Sequence, residues 1–296
     1  MHLIIILVTI AAAFCLRAYS TTLINRTSLS SLSNLKIRAS LLLVLFLLPP
    51  LLLLTTTLAI LWMGTKGIMA EGVGGWLSYW LSLVLWVFAG LTLGKLSLQG
   101  WQTVQQIRQQ PKFILENQSA RLVAHPDLFS GQIGFWESEL VITQGLIDRL
   151  TLAQLQAVLA HEQAHYYYRD TFWFFWLGWL RSLTSWLPQT KFLWQELLLW
   201  REIRADAHAG RVVDPLVLAE SLLLVVSQPL HYPHLIHNAC SATFSLPVPQ
   251  HRLDRRINTI LDTLLEDNAP EFRLQFWCWS WLVVGFMPLL IIPFHN

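Results

Sequence analysis

Two histidines, His161 and His165, enclose Glu162 in the run His161-Glu162-Gln163-Ala164-His165. On a helix, residues four apart lie one above the other on the same face. Two imidazoles so placed can grip one metal ion, and a carboxylate beside them can reach a water on that ion. Two His ligands, a carboxylate base and an open coordination position are the arrangement of zinc hydrolases. The run is short and also occurs in proteins that bind no metal, so the flanking residues decide its meaning.

Those residues predict a helix. Thr151-Leu152-Ala153-Gln154 reads as a capping box, Thr as N-cap and Gln three residues on. Leu152, Leu155, Val158 and Leu159 then recur at helical spacing. The helix starts near Thr151 and ends around Tyr166 to Asp170, where Asp170 is placed to cap the next one. A catalytic zinc needs a third protein ligand. Downstream, Glu202-Ile203-Arg204-Ala205-Asp206 lies among good helix formers. Glu202 could complete a His2Glu site, and Asp206, four residues on, could accept a hydrogen bond from the far nitrogen of a ligating His. The alternative for both acids is a solvated helix face salted with Arg201 and Arg204.

Leu159 to His165, then Arg169-Asp170, then Glu202 to Asp206, resembles the gluzincin membrane metallopeptidases. These include the HtpX and CAAX-prenyl proteases and the BlaR/MecR-type antirepressor peptidases. The likeness extends upstream through Gly134-Phe135-Trp136 and Leu140 to Ile147, and downstream to Arg252-Leu253-Asp254-Arg255-Arg256-Ile257. It covers roughly residues 120 to 262. Carried over by position, the resemblance implies one zinc ion held by His161, His165 and Glu202. It implies Glu162 as general base and Asp206 as hydrogen-bond partner of a ligating His. For the oxyanion, His208, Tyr166 and Arg204 are candidate donors between which the sequence does not choose. Gln163 stands where the family would have an aliphatic residue.

The elements that must position these residues belong to a membrane protein. The chain is 54% hydrophobic, 13% charged and holds 15 Trp, against about 25% charged residues in soluble domains. Four segments read as spanning helices: His2 to Leu16, extending toward Tyr19; Ser40 to Trp62, with Pro49-Pro50 inside; Trp76 to Leu93; and Phe276 to Phe294. Arg17, Arg26, Lys36 and Arg38 put the first loop in the cytoplasm, and Lys95, Arg108, Lys112 and Arg121 return the chain there after the third span. Arg255, Arg256 and Arg273 precede the last span. The expected fold is mainly α, a multi-pass membrane protein with about four spans and a gluzincin-like α+β zinc peptidase unit at the cytoplasmic face. Its expected parts are a membrane region over 1–98, a peptidase unit over 99–274 and a C-terminal span over 275–296. Residues 172–200 are apolar but too few for two crossings, so they are expected to dip into the cytoplasmic leaflet or lie along it.

Gln99 to Lys112 reads as a linking helix. Phe113-Ile114-Leu115, Arg121 to Ala124 and Glu139 to Ile142 read as strands of a small sheet, with Gly131 and Gly134 marking a turn. An exposed edge strand beside the zinc helix could hold substrate backbone. Pro215 to Ser227 reads as an apolar helix, and His231 to His251 as an irregular loop. His231, His234, His237 and Cys240 in it fit no standard ligand framework. Three cysteines imply no disulfide framework. The basic residues set topology rather than bind nucleic acid directly. The glycosylation-type runs at Asn25 and Asn117 are discounted because both fall on the cytoplasmic side.

Three readings of the function remain. One is a regulatory endopeptidase of a bacterial plasma membrane, cutting a cytoplasmic protein such as a transcriptional repressor. Its departure from the antirepressor sensors is the missing ligand-binding domain after the last span. The second is an HtpX-like quality-control protease. The third is a non-enzymatic membrane scaffold or transporter with structural histidines.

Overall fold

A computed structural model describes residues 2–25, 32–64, 73–116, 118–227, 241–243, 250–262 and 276–294. The described residues are mainly helical, with one small sheet. The chain divides into two compact units. The first comprises Met1–Gly94, Trp179–Leu197 and Pro270–Asn296; the second comprises Lys95–Gly178 and Leu198–Ala269.

The first unit is helical. It contains α1 (His2–Ala18), α2 (Ser20–Asn25), α3 (Leu32–Met63) and most of the apolar part of α4 (Val73–Arg108). Ile37–Met63 and Gly74–Arg108 are long and apolar enough to cross a membrane. The helix α1 is apolar but shorter, at 17 residues. The last expected span is two pieces among the described residues: α11 (Phe276–Val284) and a 3-10 helix, Met287–Phe294. Pro288 and Pro293 lack the N–H that an α-helix would use there. Several polar side chains inside this unit find partners in the backbone or in each other, which offsets the cost of their burial. Thr55 donates to Gly285 O at 2.6 Å, Arg17 donates to Phe46 O at 3.0 Å, and Arg38 pairs with Glu196 at 2.8 Å.

The linking helix expected over Gln99 to Lys112 is the end of α4, which runs without a break to Arg108. Residues 172–200, expected to dip into the membrane surface or lie along it, fall mostly in two helices, α7 (Asp170–Leu183) and α8 (Thr190–Ala209).

The second unit holds the sheet. Its strands are β1 (Lys112–Leu115), β2 (Gln118–Val123), β3 (Ser130–Gly134), β4 (Ser138–Thr143) and β5 (Ser241–Thr243), in the order β1-β2-β4-β3-β5. Among the described strands, only β2 and β4 pair in parallel. Gly131 and Gly134 do not mark a turn: they belong to β3, all five residues of which are buried. The turn follows at residues 135–137. Gly134 has φ +155°, and a Cβ there would sit 2.6 Å from Glu137 O, so only glycine fits. Nor is the strand beside the histidine helix an edge. β3 lies between β4 and β5, and β5 falls in the stretch expected to be an irregular loop.

After α5 (Gln144–Arg149) comes α6 (Leu152–Tyr167), which carries the two histidines. Both bonds of the expected capping box form: Thr151 N–H donates to Gln154 Oε1 at 3.0 Å, and Gln154 N–H to Thr151 Oγ1 at 3.4 Å. Leu155, Val158 and Leu159 pack with Leu140 and Ile142 of β4 and with Leu218, Leu222 and Val225 of α9 (Pro215–Val226). Burying each such side chain contributes about 1.5–3 kcal/mol, which fixes the rotation of α6 and so the direction of its histidines. Finally, α10 (Gln250–Asp262) packs on α9 through Leu253 and Ile257. The His231 to Cys240 stretch and the run at Asn25-Arg26-Thr27 fall outside, or largely outside, the described residues, as does Asn117.

Candidate metal centre

The one-turn spacing on α6 brings the two imidazoles together. His161 Nε2 and His165 Nε2 lie 3.0 Å apart. Glu202, from the middle of α8, places Oε2 3.5 Å from His161 Nε2 and Oε1 3.8 Å from His165 Nε2. The three donor atoms lie within 4.8 Å of one another, and all three residues are buried. Two donors each about 2.0–2.1 Å from a tetrahedral zinc stand about 3.3 Å apart. The separations between the two imidazoles, 3.0 Å, and between His161 and Glu202 Oε2, 3.5 Å, bracket that value, so the two imidazoles and the carboxylate can bind one metal ion.

Each histidine is oriented from behind by an acid. His161 Nδ1 lies 2.9 Å from Asp206 Oδ1, and His165 Nδ1 lies 2.6 Å from Asp170 Oδ2. Such partners fix the tautomer and leave Nε2 facing the metal position. The Asp206 partnership was expected. That of Asp170 was not: Asp170 opens α7, but its carboxylate turns to His165 and is also held by Arg204. Arg169 makes this possible by adopting φ +52° between α6 and α7. That backbone conformation is uncommon for a non-glycine residue and persists only when the surroundings hold it. Here Arg169 donates to Trp136 O at 2.8 Å and Thr171 donates to Phe135 O at 3.0 Å.

Two arginines missed as site residues complete the cluster. Arg256 of α10 is 1% exposed and grips Asp206 with two bonds of 2.7 Å. Its Nη1 also lies 3.4 Å from Glu202 Oε2. Arg201 donates to Glu202 Oε1 at 2.9 and 2.7 Å. The only signal for Arg256 was its place at the downstream end of the family likeness.

Glu162 is fully buried, and Ser130 of β3 donates to its Oε1 at 2.9 Å. Ser130 gave no signal in the sequence. Burial pushes the Glu162 carboxyl up; the two histidines and the Ser130 bond offset this in part. Burial would also raise Glu202, but the Arg201 charge, the bond with His161 and the charges of His165 and Arg256 hold it well below the usual carboxylate range. Asp206 is lowered against its own burial by Arg256 and His161, and Asp170 by Arg204 and His165. Burial would lower His161, but its bonds with Asp206 and Glu202 raise it to about 9.

Of the three residues expected as oxyanion donors, Arg204 is engaged with Asp170 and lies 4.1 Å over the Tyr168 ring. His208 stacks on Tyr167 at 5.4 Å. Tyr166 is exposed. The structure therefore ties Arg204 to the partner of His165, and its described contacts place neither His208 nor Tyr166 against the three donor atoms. Gln163 points to solvent, so a polar residue at this departure from the family pattern leaves the packing of α6 untouched.

The chain matches none of the curated proteins compared with it. Residues 125–228, which include every residue of the metal centre except Arg256, match the model of peptidase family M48. That match bears out the resemblance read from the sequence and supports a metallopeptidase.

Proposed function

We propose that the protein is a zinc-dependent endopeptidase of the gluzincin type, with His161, His165 and Glu202 as the ligands of one zinc ion. The observation that carries this reading is the placement of Glu162. It is buried beside the two histidines, and Ser130 donates to its Oε1 at 2.9 Å. When bound, zinc supplies a Lewis acid that polarises the scissile carbonyl and acidifies water. Glu162 takes a proton from the attacking water and passes it to the leaving amine. Its raised pKa suits both roles, since a general base works best when its pKa lies near the working pH. Asp206 and Asp170 hold the imidazoles in the tautomer that offers Nε2. Arg204 acts through Asp170, which leaves Tyr166 and His208 as the remaining candidates for the oxyanion.

In this reading the protein is a multi-pass membrane protein. Residues 1–98 form a membrane region, 99–274 a peptidase unit facing the cytoplasm, and 275–296 a closing span. The apolar helices and the loop charges support that arrangement. The substrate we favour is a cytoplasmic regulator such as a transcriptional repressor, on the resemblance to antirepressor peptidases. Deleting the gene, or substituting Glu162→Gln, should raise the level of one regulator and lower its target transcripts. A diffuse build-up of misfolded membrane proteins after either change would instead support a quality-control protease.

A further inference from the structure

Arg201 is a buried cation one residue before Glu202, and the peptidase reaction gives it no task. Adjacent residues on a helix do not share a face, so its side chain has to fold back to reach its neighbour. It does so against the ring of Phe174, whose centroid lies 5.0 Å from the guanidinium carbon. Both of its bonds, from Nε at 2.9 Å and from Nη2 at 2.7 Å, end on Glu202 Oε1. An arginine fork ordinarily spreads over both oxygens of a carboxylate. Here it converges on one, and a carboxylate oxygen has about two lone-pair sites. Oε1 is thereby filled. Oε2 carries no such fork: its neighbours are Arg256 Nη1 at 3.4 Å and His161 Nε2 at 3.5 Å.

We propose that Arg201 is a positioning residue that makes Glu202 a one-oxygen ligand, by occupying Oε1 and leaving Oε2 for the metal. This inference rests on the metal-centre reading above. Its consequence is the coordination number. A carboxylate free to turn binds through one oxygen or two, and the second oxygen would take the position that a catalytic zinc keeps open for water or substrate. The Arg201 fork removes that option.

The test uses the purified 296-residue protein loaded with cobalt(II), whose visible absorption is stronger when four-coordinate than when five-coordinate. Wild type, Arg201→Met and Arg201→Lys are compared, with X-ray absorption counting the oxygen neighbours of bound zinc. Lysine keeps the charge but not the fork, so it carries the test where methionine fails to fold. The expected result is a fall in visible absorption and a gain of one oxygen neighbour in each variant that folds and binds metal. A folded, cobalt-loaded variant with the wild-type spectrum overturns the proposal and leaves the metal centre standing. Wild type that binds no cobalt overturns both.

Discussion

His165 and Asp170, five residues apart in the chain, meet across the junction of two helices with 2.6 Å between Nδ1 and Oδ2. Their meeting depends on Arg169, whose left-handed backbone turns the chain between them. Asp170→Asn should weaken zinc binding about 10- to 100-fold without abolishing it, and Asp206→Asn should do the same from the His161 side. Competition with a chelator of known affinity measures both. Wild-type affinity in either variant would make that acid a structural charge only.

Glu162→Gln should keep the zinc and the fold while turnover falls at least ~100-fold, the lower end for removal of a general base. Ser130→Ala should be milder, about tenfold in turnover, because a hydrogen bond to a charged group contributes about 1.5–3 kcal/mol and water can replace part of it. Zinc content and peptide cleavage, measured on the same preparations, separate the two. Near-normal turnover in Glu162→Gln would remove the proposed base.

Thr151→Ala removes the capping box that starts the histidine helix. It should cost about 1 kcal/mol, a fall of a few degrees in Tm, with zinc content and turnover unchanged. Thermal unfolding of the metal-loaded protein checks this. An unchanged Tm would mean that packing alone sets the start of α6.

The site was readable in the sequence where it is local. Helical spacing brought His161 to His165 and Glu202 to Asp206, and the capping box located the start of α6. What was not readable is what the tertiary fold supplies. Ser130 reaches Glu162 from a glycine-containing strand whose residues resemble a turn, because burial on both sides removes the alternation that marks a half-exposed strand. Arg256 arrives from a helix 50 residues beyond Asp206, where charge counting reads only a basic patch. The β3–β5 pairing is likewise nonlocal: three residues have too little pattern to announce a strand. In the apolar helices, composition gave the two long candidates, but not the division of the last segment into α11 and a 3-10 helix.

The cytoplasmic orientation can be checked by labelling intact cells with an impermeant thiol reagent after Cys15, Cys240 and Cys278 are replaced. Gly145 is unsuited to a reporter cysteine, since a Cβ there would lie 2.1 Å from Pro126 O. Leu152 is exposed at the start of α6 and suits the purpose. Leu152→Cys should be protected in intact cells and labelled once the membrane is opened, and a cysteine at position 70 should label in both. Labelling of position 152 in intact cells would place the peptidase unit outside.

The central claim is that two imidazoles and one carboxylate of this chain hold a single zinc ion. Metal content by mass spectrometry, read on purified wild type, His165→Ala and Glu202→Ala in one run, addresses it directly. The account predicts about one zinc per chain in wild type and loss of most of it in each variant. Background zinc in wild type, or full retention in Glu202→Ala, would contradict it.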